Sequence, residues 1–235
     1  MNRKINLIVL LLITVLGVRT YAQSETREVP AFTEISLRVP ARLHLVQGEK
    51  QKIVIEASES TLKDLITEVG GRTLIIRFPA RNRLNFGFNP GKIDIYVTAP
   101  EISALNLAGS GDIFAEGAWN ARIMDLSVSG SGSIFLDQLN AERVKTAISG
   151  SGDIVIKDGN KAEEFNASIS GSGNIKAANY EAANVSIRIA GSGNCNIHTN
   201  GNLMVRIAGS GSVYYSGNPN LDTSIAGSGK VISKN

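Results

Sequence analysis

Two carboxylates, Asp112 and Asp153, stand at the same place in an internal repeat, directly after the tripeptide Gly-Ser-Gly. A pair of carboxyl groups at a defined separation is what glycoside cleavage requires. If the repeats stack with the spacing of β-strands, these two groups lie two layers apart, at about 10 Å. Ser133 holds the place between them, and no neighbouring column of the repeat supplies basic partners. We therefore favour polar corner residues that cap exposed amides, and keep a polysaccharide-active enzyme as an alternative.

Metal and thiol chemistry have few candidate residues. His44 and His198 lie far apart in the sequence, and with the single cysteine Cys195 they make a poor zinc site. Gly-Ser-Gly-Asp is similar to calcium-binding β-rolls, but those repeat about every nine residues with Asp in nearly every copy. No Gly-Lys-Ser/Thr follows the glycines, as it does in a phosphate-binding loop. The sequence predicts no catalytic residue, no metal and no cofactor.

The charge of the 235-residue chain is concentrated at one end. The formal net charge is +3, but the first 22 residues hold Arg3, Lys4 and Arg19 and no acidic residue. Without these three, the remaining 21 Lys and Arg balance 21 Asp and Glu. A neutral body lacks the basic surface that nucleic-acid binding requires, so we expect no nucleic-acid partner.

Residues 1–22 have the pattern of a secretory signal peptide. Arg3 and Lys4 precede an apolar run over residues 5–18, and the small residues Thr20 and Ala22 follow. A membrane anchor is the alternative, but the run is shorter than the roughly 20 residues that cross a bilayer. We expect cleavage after Ala22, no integral membrane segment after cleavage, and an exported protein in the periplasm, at the cell surface or outside the cell.

Gly-Ser-Gly occurs seven times between residues 109 and 229, at intervals of 18 to 21 residues. Apolar residues recur two positions before and two positions after each copy, and the flanks alternate between apolar and polar residues. Period-two alternation with β-branched residues predicts strands. Paired glycines predict a corner where the backbone turns sharply or packs too closely for a Cβ. The predicted corner glycines are Gly109, Gly111, Gly130, Gly132, Gly150, Gly152, Gly171, Gly173, Gly191, Gly193, Gly209, Gly211, Gly227 and Gly229.

A repeat of about 20 residues with only short strands cannot bury its own apolar face, so successive copies must stack. The predicted fold is all-β: a single-stranded parallel β-helix, or β-solenoid, with about 18–21 residues per coil. A propeller blade, the alternative, needs about 40 residues and four strands. We place the seven repeats at 105–235 and a less regular N-terminal β region at 29–104, with one helical turn near Ser60–Thr67. Together, residues 29–235 form the predicted solenoid domain.

Outward positions of the repeats carry the first candidate binding residues. Phe114 and Phe135 follow equivalent inward residues and, with Val155, would stack as an apolar strip. An exposed strip of this kind indicates a contact surface. If the N-terminal strands cover it, the strip is part of the core instead. Cys195, in contrast, takes an inward position where other copies have Ile or Val, which predicts a buried, unreactive thiol.

The segment 81–89 carries the second candidate group. Its arginines, amides and aromatic rings suit recognition of a glycan or a protein. The alternative is an ordinary hairpin tip with one phenylalanine turned inward. The candidate side chains are Arg81, Arg83, Phe86 and Phe88.

Several of these features resemble a family of exported proteins found mainly in Bacteroidetes, the auto-transporter adhesin head GIN domain family, whose function is unknown. The carrying features are the serial Gly-Ser-Gly copies, the turn at Gln47-Gly48, Val97 with Pro100, and the Tyr-x-Gly-x-Pro pattern within 213–219. The resemblance covers roughly residues 27–229. It implies a β-helix-like fold and a role in adhesion, and it brings no catalytic residues. The family often has Asp after the tripeptide, whereas only Asp112 and Asp153 follow this pattern here.

From the residues and the resemblance together we expect an exported, non-enzymatic β-solenoid, an adhesin or cell-envelope binding module. Its expected partners are a carbohydrate or a protein at the cell envelope or a host surface, and it is compatible with a homo-oligomer. A periplasmic scaffold or regulatory module is the first alternative. The second is the polysaccharide-active enzyme considered above.

Overall fold

A computed structural model describes residues 23–79 and 89–234. Of these residues, 71% lie in strands and 3% in helix, and the strands wind into a β-solenoid of about six turns. The predicted all-β solenoid is therefore confirmed. Most neighbouring strands pair in parallel, as expected when successive turns of one chain stack on each other.

One short helix, α1 (Glu59–Asp64), and eighteen strands are formed within the described residues. The strands that precede the repeats are β1 (Gln23–Thr26), β2 (Glu34–Leu37), β3 (Arg42–Gln47), β4 (Lys52–Ala57), β5 (Ile66–Gly70), β6 (Thr73–Arg77) and β7 (Asp94–Ala99). The strands of the repeats are β8 (Ala104–Gly109), β9 (Asp112–Gly130), β10 (Ser133–Gly150), β11 (Asp153–Gly159), β12 (Ala162–Gly171), β13 (Asn174–Gly191), β14 (Asn194–His198), β15 (Asn202–Gly209), β16 (Ser212–Ser216), β17 (Asn220–Gly227) and β18 (Lys230–Ser233).

The core consists of apolar columns that run along the solenoid axis. Equivalent residues of successive coils pair in register, and one such column is Ile113, Ile134, Ile154, Ile175, Cys195 and Val213. All six side chains are fully buried. Because the side chains of a strand alternate between its two faces, the residues directly before and after each of these six point outward. The period of two seen in the sequence thus separates the core from the surface.

Each Gly-Ser-Gly lies at a corner between two strands. At one corner the N–H groups of Ser172 and Gly173 both donate to the Gly150 carbonyl of the coil below, at 2.9 and 3.1 Å. Gly171 has a φ of +128°, and a Cβ added there would collide with the same Gly150 carbonyl. Both a positive φ and a close backbone therefore favour glycine at this position.

The coils of the N-terminal region do not stack in the order in which they occur along the chain. The coil formed by β2 and β3 lies between the coil of β6 and β7 on one side and the coil of β8 and β9 on the other. Its corner is Val39-Pro40-Ala41 instead of Gly-Ser-Gly, and Gly111 packs against the carbonyls of Val39 and Ala41. Strands β1, β4 and β5 pair antiparallel to their neighbours, so this region is only partly coil-like.

The two ends of the solenoid differ. At the N-terminal end, α1 and the antiparallel strands close the stack, and Ser58 caps α1 by accepting from the Thr61 N–H at 3.3 Å. At the C-terminal end, the core-column residues Leu221 and Ile225 of β17 are 42% and 41% exposed. In residues 23–79 and 89–234, no helix is long and apolar enough to cross a membrane.

Candidate functional site

Four outward rings form a continuous stack on one face of the solenoid. Tyr96 of β7, His44 of β3, Phe114 of β9 and Phe135 of β10 take equivalent positions in four neighbouring coils. We call these four residues the aromatic ladder. The parallel register places each ring beside the ring of the next coil, although the chain visits the coils in a different order.

The rings of the aromatic ladder overlap along the solenoid axis. The ring centroids of Phe114 and Phe135 are 5.1 Å apart with planes 5° from parallel. The ring centroid of His44 lies 5.2 Å from that of Tyr96 and 5.5 Å from that of Phe114, with planes at 18° and 20°. These distances lie within the range of favourable aromatic stacking. The stack ends at Phe135, since the next coil has the much smaller Val155 at the paired position.

The aromatic ladder lies on the surface. Tyr96 is 42% exposed, and His44, Phe114 and Phe135 are half-buried. The sequence left open whether the N-terminal strands cover the phenylalanines or leave them at a contact surface. Strands β3 and β7 extend the strip with two further rings and do not lie across it.

One side of the ladder carries charged groups. His44 Nδ1 lies 2.7 Å from Glu116 Oε1, and Lys157 Nζ donates to Asp137 Oδ1 at 2.6 Å. The hydrogen bond from Lys157 lowers the pKa of Asp137 below its usual value. A shallow cavity of about 200 Å³ lies between these groups and the rings. Its lining is His44, Phe114, Ala115, Glu116, Phe135, Asp137 and Lys157.

The other side of the ladder is a polar column that contains Asp112 and Asp153. Asp112 Oδ1 accepts from the Ser133 N–H at 3.0 Å, and Asp153 Oδ1 accepts from the Asn174 N–H at 3.1 Å. Each carboxylate thus caps an amide of the next coil. Lys176, two residues along the same strand as Asn174, pairs with Asp153 at 2.6 Å.

The ion pair with Lys176 corrects the sequence analysis, which found no basic partner near these carboxylates. Burial acts to raise the pKa of Asp153, but the hydrogen bonds from Lys176 and Asn174 outweigh it and lower that pKa. A glycosidase acid needs the opposite shift, because it must hold a proton near neutral pH. Asp153 is therefore poorly suited to donate a proton, whereas its contacts suit a structural cap.

The remaining candidates are placed as follows. Arg81, Arg83, Phe86 and Phe88 lie outside the described residues. Cys195 is fully buried, and burial raises the pKa of its thiol to about 12. His198 lies in another part of the molecule from His44, with Nδ1 2.8 Å from the Ser216 hydroxyl. Within 23–79 and 89–234, no three His, Cys, Asp or Glu residues group closely enough to hold a metal ion.

Sequence reasoning missed His44, Tyr96 and Glu116. His44 lies between the inward Leu43 and Leu45, as Phe114 lies between Ile113 and Ala115, so the alternation alone marks it as outward. No Gly-Ser-Gly precedes β3 or β7, and without that marker the strands could not be aligned with the repeats.

The stacked parallel coils define a β-solenoid, and the aromatic ladder is an outward column on its surface. A family described as "Putative auto-transporter adhesin, head GIN domain" matches residues 31–219, and the chain belongs to this family. No curated protein matches the chain significantly.

Solved structures of similar fold include proteins from Bacteroides and Parabacteroides species. A "putative adhesin" from Bacteroides fragilis NCTC 9343 is 21% identical with a TM-score of 0.84, covering 90% of this chain and 96% of that one. A "putative adhesin" from Parabacteroides merdae ATCC 43184 is 19% identical with a TM-score of 0.71, covering 92% and 98%. A "putative lipid binding protein" from Parabacteroides distasonis ATCC 8503 is 23% identical with a TM-score of 0.73, also covering 92% and 98%. At these identities the likeness shows the fold.

Proposed function

We propose that this chain is an exported, non-enzymatic binding module that attaches to a carbohydrate or a protein at the cell envelope or a host surface through the aromatic ladder. The observation that carries the proposal is the half-exposed stack of four rings in an outward column. The solenoid does not require aromatic residues there, since Val155, Lys176 and Asn196 occupy the same column in later coils.

The surroundings of the ladder suit a ligand with apolar and polar faces. The coil beyond Phe135 has the small Val155 at the paired position, and a cavity beside the Phe114 and Phe135 rings can hold a ligand group. Glu116, Asp137 and Lys157 beside the rings offer both acceptors and donors. Sugars present apolar C–H faces beside hydroxyl groups, and protein side chains offer the same combination, so both fit a site of this kind.

Two considerations support binding without catalysis. The carboxylates that best matched a catalytic pair cap amides of the next coil, and Asp153 has a lowered pKa and an ion pair with Lys176. The adhesin names of the family and of a solved structure of similar fold point the same way. Turnover of acidic polysaccharides that Asp112→Ala or Asp153→Ala abolishes would contradict this part of the proposal.

The test measures retention of the purified protein on immobilised neutral and acidic polysaccharides and on extracellular-matrix proteins. Phe114→Ser and Phe135→Ser remove rings of the ladder. Tyr214→Ser is the matched control, because Tyr214 is an aromatic residue in the same outward column, beyond the ladder. Loss of one stacking contact, up to about 1.5 kcal/mol, should lower affinity about tenfold in both ladder variants and leave the control unchanged. Equal retention of all four proteins on every surface would remove the ladder from the proposal.

Location is tested by protease treatment of intact cells, with lysed cells as the control. Digestion on intact cells places the protein outside and supports an adhesin. Protection until lysis places it in the periplasm, where a scaffold or regulatory module that recognises an envelope partner takes precedence.

A further inference from the structure

The C-terminal coil, made of β17 and β18, has its free side open. Among the described residues, β17 pairs only with β15 and β18 only with β16. Leu203 and Ile207, one coil earlier in the same columns as Leu221 and Ile225, are 0% and 3% exposed. The last coil therefore presents both an unpaired strand edge and an uncovered slice of the core, a combination that favours further strand pairing.

The opposite end of the solenoid does not fit this open end. Helix α1 packs against β4, while β1 and β5 add antiparallel strands at that side. A head-to-tail stack of copies would have to displace these elements. Of the two ways in which a second copy can cover the C-terminal coil, only contact between two C-terminal coils leaves both caps in place.

We propose that two copies of this chain join through their C-terminal coils, about a two-fold axis that passes by Ser228 at the last corner. The axis bisects this corner, so β17 of one copy lies antiparallel to β18 of the other. A closed two-fold interface of this kind uses the same surface twice. Ser228 of one copy then lies opposite Ser228 of the other.

This register matches both the apolar and the charged residues of the edge. It places Ile225 opposite Val231 of the second copy, and both residues belong to core columns. It also places Asp222 opposite Lys234 of the second copy, an acid opposite a base. A slip by one residue would bring Ile225 opposite Lys230 and would turn core positions outward. The charge pattern thus favours one register.

The charged residues also have contacts within their own copy. Asp222 accepts from Arg206 at 2.8 and 3.2 Å, and Lys234 lies over the Tyr214 ring at 4.9 Å. Charges on an edge strand often serve to keep other chains away. In the proposed register Asp222 of one copy attracts Lys234 of the other. Charge reversal therefore distinguishes a role in dimerisation from a role in keeping other chains away.

The first measurement is the mass of the purified protein by sedimentation equilibrium over a range of concentrations. We expect twice the chain mass, and reversion to the monomer for Ile225→Glu, whose far-UV spectrum should stay unchanged. Asp222→Lys and Lys234→Asp should each raise the dissociation constant about tenfold, and the double variant should restore it. A protein that stays monomeric up to its solubility limit overturns the proposal. In that case another chain segment, and not a second copy, covers the C-terminal coil.

Cysteine variants test the register. Ser228→Cys should form an intermolecular disulfide under mild oxidation, because the proposed two-fold axis places residue 228 of one copy directly opposite residue 228 of the other, within the Cα separation that a disulfide needs. Ser192→Cys, an equally exposed corner in the middle of the solenoid, is the matched control and should stay reduced. A dimer in which neither or both variants cross-link would refute the proposed axis. Ladder variants should not alter dimerisation, so this proposal and the proposed function fail independently.

Discussion

The stacked corners allow backbone strain and crowding to be measured separately. Gly109 and Gly171 begin equivalent tripeptides and have similar φ values of +118° and +128°. A Cβ on Gly109 meets nothing within 4 Å, whereas one on Gly171 collides with the Gly150 carbonyl. Gly173 has no positive φ, but its Cβ would collide with the Gly152 carbonyl and lie 2.6 Å from Ile148 Cγ2. Gly109→Ala therefore measures backbone strain alone, Gly173→Ala measures crowding alone, and Gly171→Ala combines both effects.

The expected sizes follow from these contacts. Gly109→Ala should cost about 1–3 kcal/mol for a conformation that alanine rarely adopts. Gly173→Ala should cost about 1–3 kcal/mol for overpacking, because hydrogen bonds between coils hold the carbonyl below in place. Gly171→Ala combines both effects, so we expect about 2–6 kcal/mol.

Urea unfolding provides the assay. The single tryptophan, Trp119, is fully buried and reports on the core, and far-UV circular dichroism reports on the strands. The free energy of unfolding is comparable among variants only where both signals give one transition, since solenoids can unfold in parts. If Gly109→Ala is as destabilising as Gly171→Ala, contact with the coil below is not the reason for glycine at these corners.

Three further outcomes are expected. Ile169→Asp should abolish the β signal in far-UV circular dichroism, because it places an unpaired charge in a dry column; a folded variant with an unchanged melting temperature would contradict the inward position of Ile169. Burial acts to raise the pKa of Asp94, but hydrogen bonds from Lys92 and Arg42 outweigh it and lower that pKa. The stabilisation is therefore complete above the unfolded pKa of 3.8 and is lost as pH falls through the lower folded value. Asp94→Asn should be less stable by about 1 kcal/mol at pH 7 and show a smaller loss below pH 4; an acid unfolding curve identical to that of the parent would rule out this role. Cys195 should react with a thiol reagent at pH 8 only after unfolding, and rapid reaction of the native protein would refute its buried position.

The repeats could be predicted almost column by column because each coil carries its own marker. Gly-Ser-Gly fixes the register, and the alternation around it is enough to assign Ile154 to the core and Val155 to the surface. The replacement of Ile or Val by Cys195 in one copy is understood in the same way, as a small apolar side chain in a dry column.

The N-terminal coils could not be predicted to this depth. The sequence predicts β structure over residues 29–104, but the alternation of apolar and polar residues does not identify the neighbour of a strand. The coil of β2 and β3 turns at Val39-Pro40-Ala41, which carries no mark of its equivalence to Gly-Ser-Gly. Its insertion between coils that come later in the chain depends on long-range packing, and only the three-dimensional register brings His44 beside Phe114.

Coil stacking restricts the residue types in some columns of this solenoid more than in others. A binding surface can evolve in the columns with few restrictions. Inward columns must stay apolar, and corner columns must leave room for the carbonyl below. The outward column of the aromatic ladder has neither constraint, since a valine, a lysine and an asparagine continue it in later coils. Coil stacking therefore does not require the four rings, which come from strands distant in sequence. In the function that we propose, they serve a ligand that reaches this surface.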